Sequence, residues 1–217
     1  MQLSETPRTR LTRLADRGRT ETDDLYAVLD AGLVGHLGVV RDGAPLVLPM
    51  GYGRRGDTLY LHGSTGAATL RAALAGAPVC FTVTHLDGVV YARSVFHHSM
   101  NYRCAVVHGV PRPVTDPDEQ LLGLRALTEQ LAPGSWDAAR LPDRKELAAT
   151  AVLALDLAEA SVKIRTGPPH DEPEDVEAGG RWAGVVGVRT VFDPAESAPD
   201  LEPGLTVPAH VTDRRPV

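Results

Sequence analysis

One short run of hydroxyl and glycine residues carries the clearest chemical signal in the sequence. Residues 58–70 read TLYLHGSTGAATL, an apolar strand that leads through a tight loop into the first turn of a helix. Such a connection directs several backbone N–H groups the same way, and the helix adds the positive end of its dipole. The loop is therefore predicted to bind an anion, most plainly a cofactor phosphate. The loop consists of His62, Gly63, Ser64, Thr65 and Gly66, and His62 is predicted either to contact the ligand or to bond only the local backbone.

Two other chemistries that use similar loops do not fit this one. A serine nucleophile turn follows the pattern G-x-S-x-G, but His62 stands where the first glycine is needed. An ATP-binding P-loop ends in Gly-Lys-Ser/Thr, and no such ending follows Gly66. Ser64 and Thr65 are therefore interpreted as hydrogen-bond donors to a phosphate and not as nucleophiles.

Charged and aromatic residues elsewhere offer further candidate contacts. Lys163 and Arg165 alternate along one face of a predicted strand, where they would hold an acidic substrate or pair with the acids of residues 171–177. Trp182 is predicted either to cover a cofactor cleft or to lie in the core.

Two adjacent histidines, His97 and His98, point to opposite faces of an extended chain, so a metal site built from both is not expected. One of them is predicted to enter a pocket, and His98 is taken as the substrate contact. A histidine ligand to haem iron is a further alternative.

Bulk composition limits the class of protein that these residues serve. The chain has 217 residues, 43% of them hydrophobic, and a net charge of −6, which favours a folded domain and argues against nucleic acid as a partner. No run of 18 apolar residues and no apolar leader occurs, so a cytoplasmic protein without a membrane span is predicted. Cys80 and Cys104 are interpreted as buried free thiols.

The elements that position these residues are predicted to be mostly strands joined by hairpins. Asp42-Gly43 and Asp87-Gly88 are predicted hairpin turns, residues 53–57 a further turn, and residues 182–191 a last strand. Helices are expected near residues 22–31, 66–74, 117–131 and 143–150. The fold class is thus mainly β (α+β), an antiparallel barrel with a few peripheral helices.

Charge and proline content divide the chain into three segments. Residues 1–19 form a basic N-terminal arm, residues 20–191 the folded domain, and residues 192–217 a proline-rich C-terminal tail. Residues 167–181 are predicted to be a loop, and its acidic run at 171–177 is predicted to be solvated.

The order of these motifs resembles that of a known superfamily. LYLHGSTG, then VCFTVTHLDG, then SVFHHSMNYRCAVVHG is similar to the pyridoxamine 5′-phosphate oxidase-like FMN-binding split β-barrel superfamily, and most of all to its nitroimidazole-reductase-like subgroup. The resemblance covers roughly residues 20–165 and extends to KIRTGPP and RWAGVVGVR near the end.

What the resemblance implies is a homodimer with FMN in clefts between the subunits. Leu48, Pro49 and Met50 match a strand that lies along the flavin ring, while the loop at residues 62–66 matches the approach to the phosphate. Tyr102 and Arg103 match positions that reach the same pocket. The phosphate loop lacks the usual cation, so Arg71 is the nearest candidate, with Arg103 and the N-terminal arm as alternatives.

The resemblance also implies an activity. The prediction is an FMN-dependent oxidoreductase acting on a small organic substrate, with nitroaromatics as one candidate class. Vitamin B6 oxidation is not expected, since the R-L-x-P signature near the C-terminus is missing and Arg189 is followed by Thr190. The alternative is a non-catalytic protein that binds a flavin, a deazaflavin or haem.

Overall fold

Two antiparallel sheets and seven short α-helices make up residues 2–214, the part of the chain that this computed structural model describes. The strands are β1 (Gly18–Arg19), β2 (Gly35–Arg41), β3 (Ala44–Met50), β4 (Tyr52–Arg55), β5 (Thr58–Ser64), β6 (Val79–Tyr91), β7 (Ser99–Gly109), β8 (Arg112–Pro113), β9 (Thr150–Asp156), β10 (Ala160–Arg165) and β11 (Gly184–Gly187). The helices are α1 (Thr22–Ala31), α2 (Ala68–Leu74), α3 (Pro117–Leu131), α4 (Ser135–Ala138), α5 (Arg144–Ala149), α6 (Pro173–Ala178) and α7 (Ala209–Thr212).

The strands divide into a larger and a smaller sheet. The larger has the order β1-β10-β7-β6-β2-β3, and the smaller has the order β4-β5-β9-β8. β6 is long enough to pair with β2 near its start and with β11 at residues 88–91. All of these pairings are antiparallel, so the predicted mainly β, α+β fold with antiparallel sheets and several helices is confirmed.

The hydrophobic core lies between the inner faces of the two sheets. Alternate residues along each strand point inward, as the period of two requires. The amphipathic helix α1 adds its own buried face to the same cluster. The fully buried members with the largest side chains include Leu25, Leu29, Leu37, Tyr52, Leu59, Leu61, Phe81, Val83, Leu153 and Leu155.

The helix signals in the sequence are confirmed where capping residues carry them. Asp116 caps α3 by accepting from Glu119 N, and Pro117 occupies the first turn. Asp143 and Glu146 form a capping box at the start of α5. These caps give the two helices that border the smaller sheet defined starting points.

Of the two predicted Asp-Gly hairpin turns, only the first is confirmed. Asp42 and Gly43 both have positive φ, 51° and 77°, as the tight turn between β2 and β3 requires. The turn predicted at Asp87-Gly88 is wrong, because β6 continues to Tyr91 and Asp87 is the extra residue of a β-bulge opposite β7. The chain reverses beyond it, at residues 92–98.

Three other local predictions are also wrong. Residues 53–57 were expected to form one turn, but Tyr52–Arg55 is strand β4 and only the residues after it turn. The last strand is shorter than residues 182–191, since it covers Gly184–Gly187 alone. The predicted loop at residues 167–181 contains the helix Pro173–Ala178. The bounds of the two strands follow their pairing, β4 with β5 and β11 with β6.

The two terminal segments contact the domain between them. In the N-terminal arm, Arg8 forms an ion pair with Glu159, and β1 pairs with β10. In the C-terminal tail, Arg214 donates to the Leu131 carbonyl. Met1 and residues 215–217 of these two predicted segments lie outside the described residues. Within residues 2–214, no helix has the length and apolar character needed to cross a bilayer.

Candidate functional site

Most backbone N–H groups of the loop after β5 already donate hydrogen bonds to other groups of the protein. Thr65 N donates to the Ala149 carbonyl at 3.1 Å, and Ala67 N donates to the Ser64 carbonyl at 2.9 Å. Gly66 N donates to Ser64 Oγ at 3.2 Å. Within residues 2–214, the donors left for a ligand are the hydroxyls of Ser64 and Thr65 and the first-turn amides of α2. The predicted phosphate contact therefore depends on these groups.

Gly63 has a packing role that the sequence did not reveal. A Cβ built on Gly63 would lie 2.3 Å from Leu70 Cδ1, so a larger residue here would force the Leu70 side chain to move. His62 and Ser64 point to the opposite face of the strand, because side chains alternate along it. The loop thus presents its polar residues away from α2.

His62 lines a cleft of about 370 Å³ between β5 and the helices α3, α4 and α5. Its neighbours there include Trp136, Glu146 and Thr150. Desolvation by the surrounding atoms lowers the pKa of His62, which favours the neutral imidazole. A larger cavity of about 790 Å³ adjoins this cleft and shares Trp136 with it. None of the other predicted site residues lines either space.

The predicted cations differ in whether their charge is already balanced. Arg103 on β7 donates through Nε and Nη2 to the carboxylate of Asp87, at 3.0 and 2.9 Å, and this hydrogen bonding raises the pKa of Arg103. Arg71 on α2 is exposed and forms no ion pair with any residue in the range 2–214. Arg71 is therefore the cation near the loop that remains available for a phosphate.

Leu48, Pro49 and Met50 lie at the end of β3, which forms one edge of the larger sheet. An edge strand leaves the backbone groups of every second residue unpaired, and Pro49 itself has no backbone N–H to donate. Leu48 is 38% exposed and Val47 is 61% exposed. This edge is open to a ligand or to another chain.

Lys163 and Arg165 do not form an open pair of cations. Lys163 Nζ donates to the Arg13 carbonyl at 2.9 Å. Arg165 is only 4% exposed and donates to Asn101 Oδ1 and to the carbonyls of Gly167 and Pro168. Neither residue pairs with the acids of residues 171–177, so that alternative is wrong for both of them.

The buried Arg165 has no carboxylate partner among residues 2–214. Its Nε makes no hydrogen bond, and desolvation followed by the nearby positive charge of Arg17 lowers the pKa of the guanidinium. Tyr102 is its partner across the β7–β10 register. Arg165 therefore holds the turn after β10 in place through neutral acceptors.

The end of the β6–β7 hairpin gathers three aromatic rings on the surface. Tyr91 contacts His98 edge-on at a centroid distance of 5.9 Å and contacts Trp182 at 5.7 Å. Trp182 is 68% exposed, so the prediction of a core tryptophan is wrong. His97 Nε2 lies 3.5 Å from Glu172, on the other side of the hairpin end.

An ion pair at this hairpin was not predicted from the sequence. Arg93 donates to Asp171 through its backbone N and Nη1, at 2.8 and 2.7 Å. The Asp171 side chain is only 2% exposed, so the prediction that residues 171–177 are solvated is wrong at this position. No local pattern signals such a pair, because 78 residues separate the two partners.

The predicted contacts with the flavin ring and its phosphate lie on separate elements of one chain. Residues 48–50 lie on β3, residues 62–66 lie at the end of β5 and in the loop after it, and Tyr102 and Arg103 lie on β7. Two strands stand between β3 and β7 in the larger sheet, a separation of about 14 Å at the usual strand spacing. Across residues 2–214, no group of three or more His, Cys, Asp or Glu side chains has the geometry of a metal site.

Comparisons with known proteins agree with this fold over most of the chain. The sequence model of the family described as pyridoxamine 5′-phosphate oxidase matches residues 21–164. The structure of the FAD and heme binding protein from Mycobacterium smegmatis is 42% identical, with a TM-score of 0.87, and the alignment covers 91% of this chain and 96% of that one. No curated protein matches the chain.

Two further solved structures extend the comparison. The flavocytochrome Anf3 from Azotobacter vinelandii is 36% identical, with a TM-score of 0.91 and 97% of each chain covered. The putative 5-nitroimidazole antibiotic resistance protein from Bacteroides thetaiotaomicron is 18% identical, with a TM-score of 0.58, and the match covers 68% of this chain and 86% of that one. At that identity the last match supports the fold alone.

Proposed function

This chain belongs to the pyridoxamine 5′-phosphate oxidase family, and on that basis we propose that it is a redox protein that binds both a flavin nucleotide and haem. One observation carries the proposal. Two relatives that are 42% and 36% identical match this chain over 96% and 97% of their own lengths, one described as an FAD and heme binding protein and the other as a flavocytochrome.

For the flavin, the residues present on the open edge of β3 and in the loop after β5 fit the chemistry of the ligand. β3 has no partner strand on its outer side, so the backbone groups of every second residue in the stretch Leu48, Pro49 and Met50 are free to bond the polar edge of a flavin ring. The hydroxyls of Ser64 and Thr65 and the unpaired charge of Arg71 would hold the phosphate.

The form of the flavin is part of the proposal. The sequence resemblance favours FMN, whereas the relative that is 42% identical is described as binding FAD. We favour FAD, since that relative covers almost the whole chain. FMN is the alternative, and chromatography of the released cofactor separates the two.

The site is proposed to form between two copies of the chain, as a homodimer built on a split β-barrel. The residues predicted to contact the flavin lie on β3 and on β7, which two strands separate within one chain. A single flavin would contact both sets if β3 of one protomer lay against β7 of its partner. The exposed apolar side chain of Val47 on β3 supports contact with another chain at this edge.

The proposed activity is oxidoreduction of a small organic substrate, with the flavin supplying hydride or electron transfer when it is bound. The protein's own contribution would be positional: edge amides, phosphate donors and a cleft between subunits. Nitroaromatic compounds are one substrate class to test. A binding protein without turnover is the second candidate, and the ion pair of Arg103 with Asp87 favours it, since that guanidinium is already paired within the chain.

The absorption spectrum of the purified protein tests this proposal. We expect flavin bands together with a haem Soret band, and loss of the flavin bands when NADH or NADPH is added without air. Reoxidation by a nitroaromatic compound would support turnover, and its absence would favour a carrier. A colourless protein that takes up neither FAD, FMN nor haemin would overturn the proposal.

A further inference from the structure

The turn at the end of the β6–β7 hairpin presents apolar side chains to solvent. Val95 and Phe96 are each 88% exposed, and Met100 is 52% exposed. Tyr91, His98 and Trp182 form a connected row of rings beside them, called here the aromatic row. Apolar surface of this extent is characteristic of a place where another molecule binds.

Within the aromatic row, the ring of His98 is held in one orientation. Its Nδ1 lies 3.1 Å from the Ser94 carbonyl oxygen and 3.4 Å from Ala92 N. The Ser94 carbonyl can only accept and Ala92 N–H can only donate, so the two contacts belong to alternative tautomers, and the one that bonds Ser94 carries its proton on Nδ1. Nε2 then has a lone pair, and no atom in residues 2–214 bonds to it.

This arrangement is the usual one for a histidine that ligates a metal. Such a residue donates its second ring N–H to a backbone carbonyl or a carboxylate, which fixes the tautomer and makes the ligating nitrogen more basic. Haem suits a single histidine, because the porphyrin supplies four of the iron's ligands and the protein needs to add only one or two. The flanking rings of Tyr91 and Trp182 offer apolar contacts for a flat macrocycle.

The neighbouring histidines fit this role less well. His97 Nε2 faces the carboxylate of Glu172. His85 uses Nε2 to contact the Val28 carbonyl at 2.9 Å, which leaves only Nδ1, the nitrogen beside its own Cβ, where a macrocycle would collide with the chain. His62 belongs to a different place, since it lies on β5 of the smaller sheet, in the cleft bordered by α3, α4 and α5.

We propose that His98 is an axial ligand of the haem iron through Nε2, with the aromatic row as one wall of the haem site. This inference rests on the haem half of the proposed function. It assigns a single residue of the chain to that cofactor, and it predicts that the flavin contacts on β3 and in the loop after β5 are independent of this ligand.

Spectroscopy of variants tests the assignment. The full-length protein is titrated with haemin, and the Soret band and the electron paramagnetic resonance spectrum are recorded for the wild type, His98→Ala and the matched control His97→Ala. Even outer-shell partners of a metal ligand contribute about 10–100-fold to affinity, so His98→Ala should bind haemin roughly 100-fold more weakly and lose the histidine signature. His97→Ala should keep both, and added imidazole should restore the spectrum of His98→Ala.

The outcomes separate the two proposals. If the wild type takes up no haemin with a distinct Soret band, the haem half of the proposed function fails and this assignment with it. If the wild type binds haemin and His98→Ala gives the same spectrum and affinity, the assignment alone is wrong. Flavin uptake by His98→Ala, measured in the same samples, shows that the variant is folded.

Discussion

Asp87, the extra residue of the bulge in β6, holds Arg103 of β7 through two parallel hydrogen bonds. The bulge shifts the register between the two strands by one residue and turns the Asp87 carboxylate toward the guanidinium. Both side chains are 31% exposed, so water screens the pair only in part. The same contact balances the charge of Arg103, a residue predicted to contact a cofactor.

Replacement of Asp87 should therefore weaken the fold measurably. We expect Asp87→Asn to lower the free energy of unfolding by about 1–2 kcal/mol, because charge-assisted bonds to Arg103 are lost at a half-buried position. Asp42→Asn is the matched control, since Asp42 contacts Arg41 with a side chain that is 85% exposed, and it should change stability by less than about 0.5 kcal/mol. Urea unfolding measures both, and equal effects would contradict the prediction.

Acid should loosen the attachment of residues 166–172 to the hairpin. Burial alone would raise the pKa of Asp171, but the hydrogen bonds from Arg93 outweigh it and bring the pKa below the ordinary 3.8. A carboxyl group with a lowered pKa stabilises the fold above the unfolded value, and that contribution disappears as pH falls through the folded one.

We therefore expect the urea midpoint of the wild type to fall below about pH 4 more steeply than that of Asp171→Asn, which lacks this titrating group. Asp200→Asn removes an exposed acid with no ion pair within residues 2–214 and should follow the wild type. Parallel curves for the wild type and Asp171→Asn would show that the pair contributes nothing to the pH dependence.

A glycine in β4 allows α3 to lie directly on the smaller sheet. A Cβ on Gly53 would lie 2.3 Å from the backbone carbon of Ala126, which cannot swing aside as a side chain can. Gly53→Ala should cost about 2–3 kcal/mol of stability through overpacking. Gly51→Ala, which has nothing within 4 Å of the added carbon, should leave stability unchanged or raise it by about 0.5 kcal/mol. Thermal unfolding of the two variants distinguishes them.

The hydroxyls after β5 are predicted to contact the flavin phosphate. The double variant Ser64→Ala/Thr65→Ala should bind the flavin roughly 10–100-fold more weakly, since hydrogen bonds to a charged group are lost. Ser197→Ala/Thr206→Ala, which removes the same two hydroxyl types from exposed positions in the tail, should bind it normally. Fluorescence titration with FAD and with FMN gives the affinities. Unchanged binding by the first variant would place the phosphate elsewhere.

The open edge of β3 is predicted to contact a second copy of the chain. A lysine on an edge strand resists pairing and apolar contact, so Val47→Lys should shift the protein toward monomer by roughly tenfold in the dissociation constant. Val191→Lys is the control, because Val191 is exposed to a similar degree, 67% against 61%, but lies beyond the last strand, β11. Light scattering over a dilution series measures the masses. A dimer as tight in Val47→Lys as in the wild type would exclude this edge from the interface.

Features that depend on a few consecutive residues could be predicted from the amino-acid sequence. Period-two alternation in VCFTVT predicted β6, Asp42-Gly43 predicted a turn that needs two positive φ angles, and Asp116-Pro117 predicted the start of α3. The motif order also indicated the family, since it samples many positions at once. Local sterics favour the turn at Asp42-Gly43, and local hydrogen bonds favour the start of α3, before the chain packs.

The pairing of polar groups between residues far apart in the chain depends on the folded structure. Asp87-Gly88 has the same local preference as Asp42-Gly43, but continued pairing with β7 made it a bulge. The backbone N–H groups of the loop after β5 were expected to face a ligand. Most of them instead donate hydrogen bonds to oxygens of Ala149 and Ser64. Arg93 pairs with Asp171 because the fold brings their segments together and buried polar groups must form hydrogen bonds. The contact of His98 with the Ser94 carbonyl likewise depends on the path of the chain at the hairpin end. Such contacts have no signature in sequence spacing.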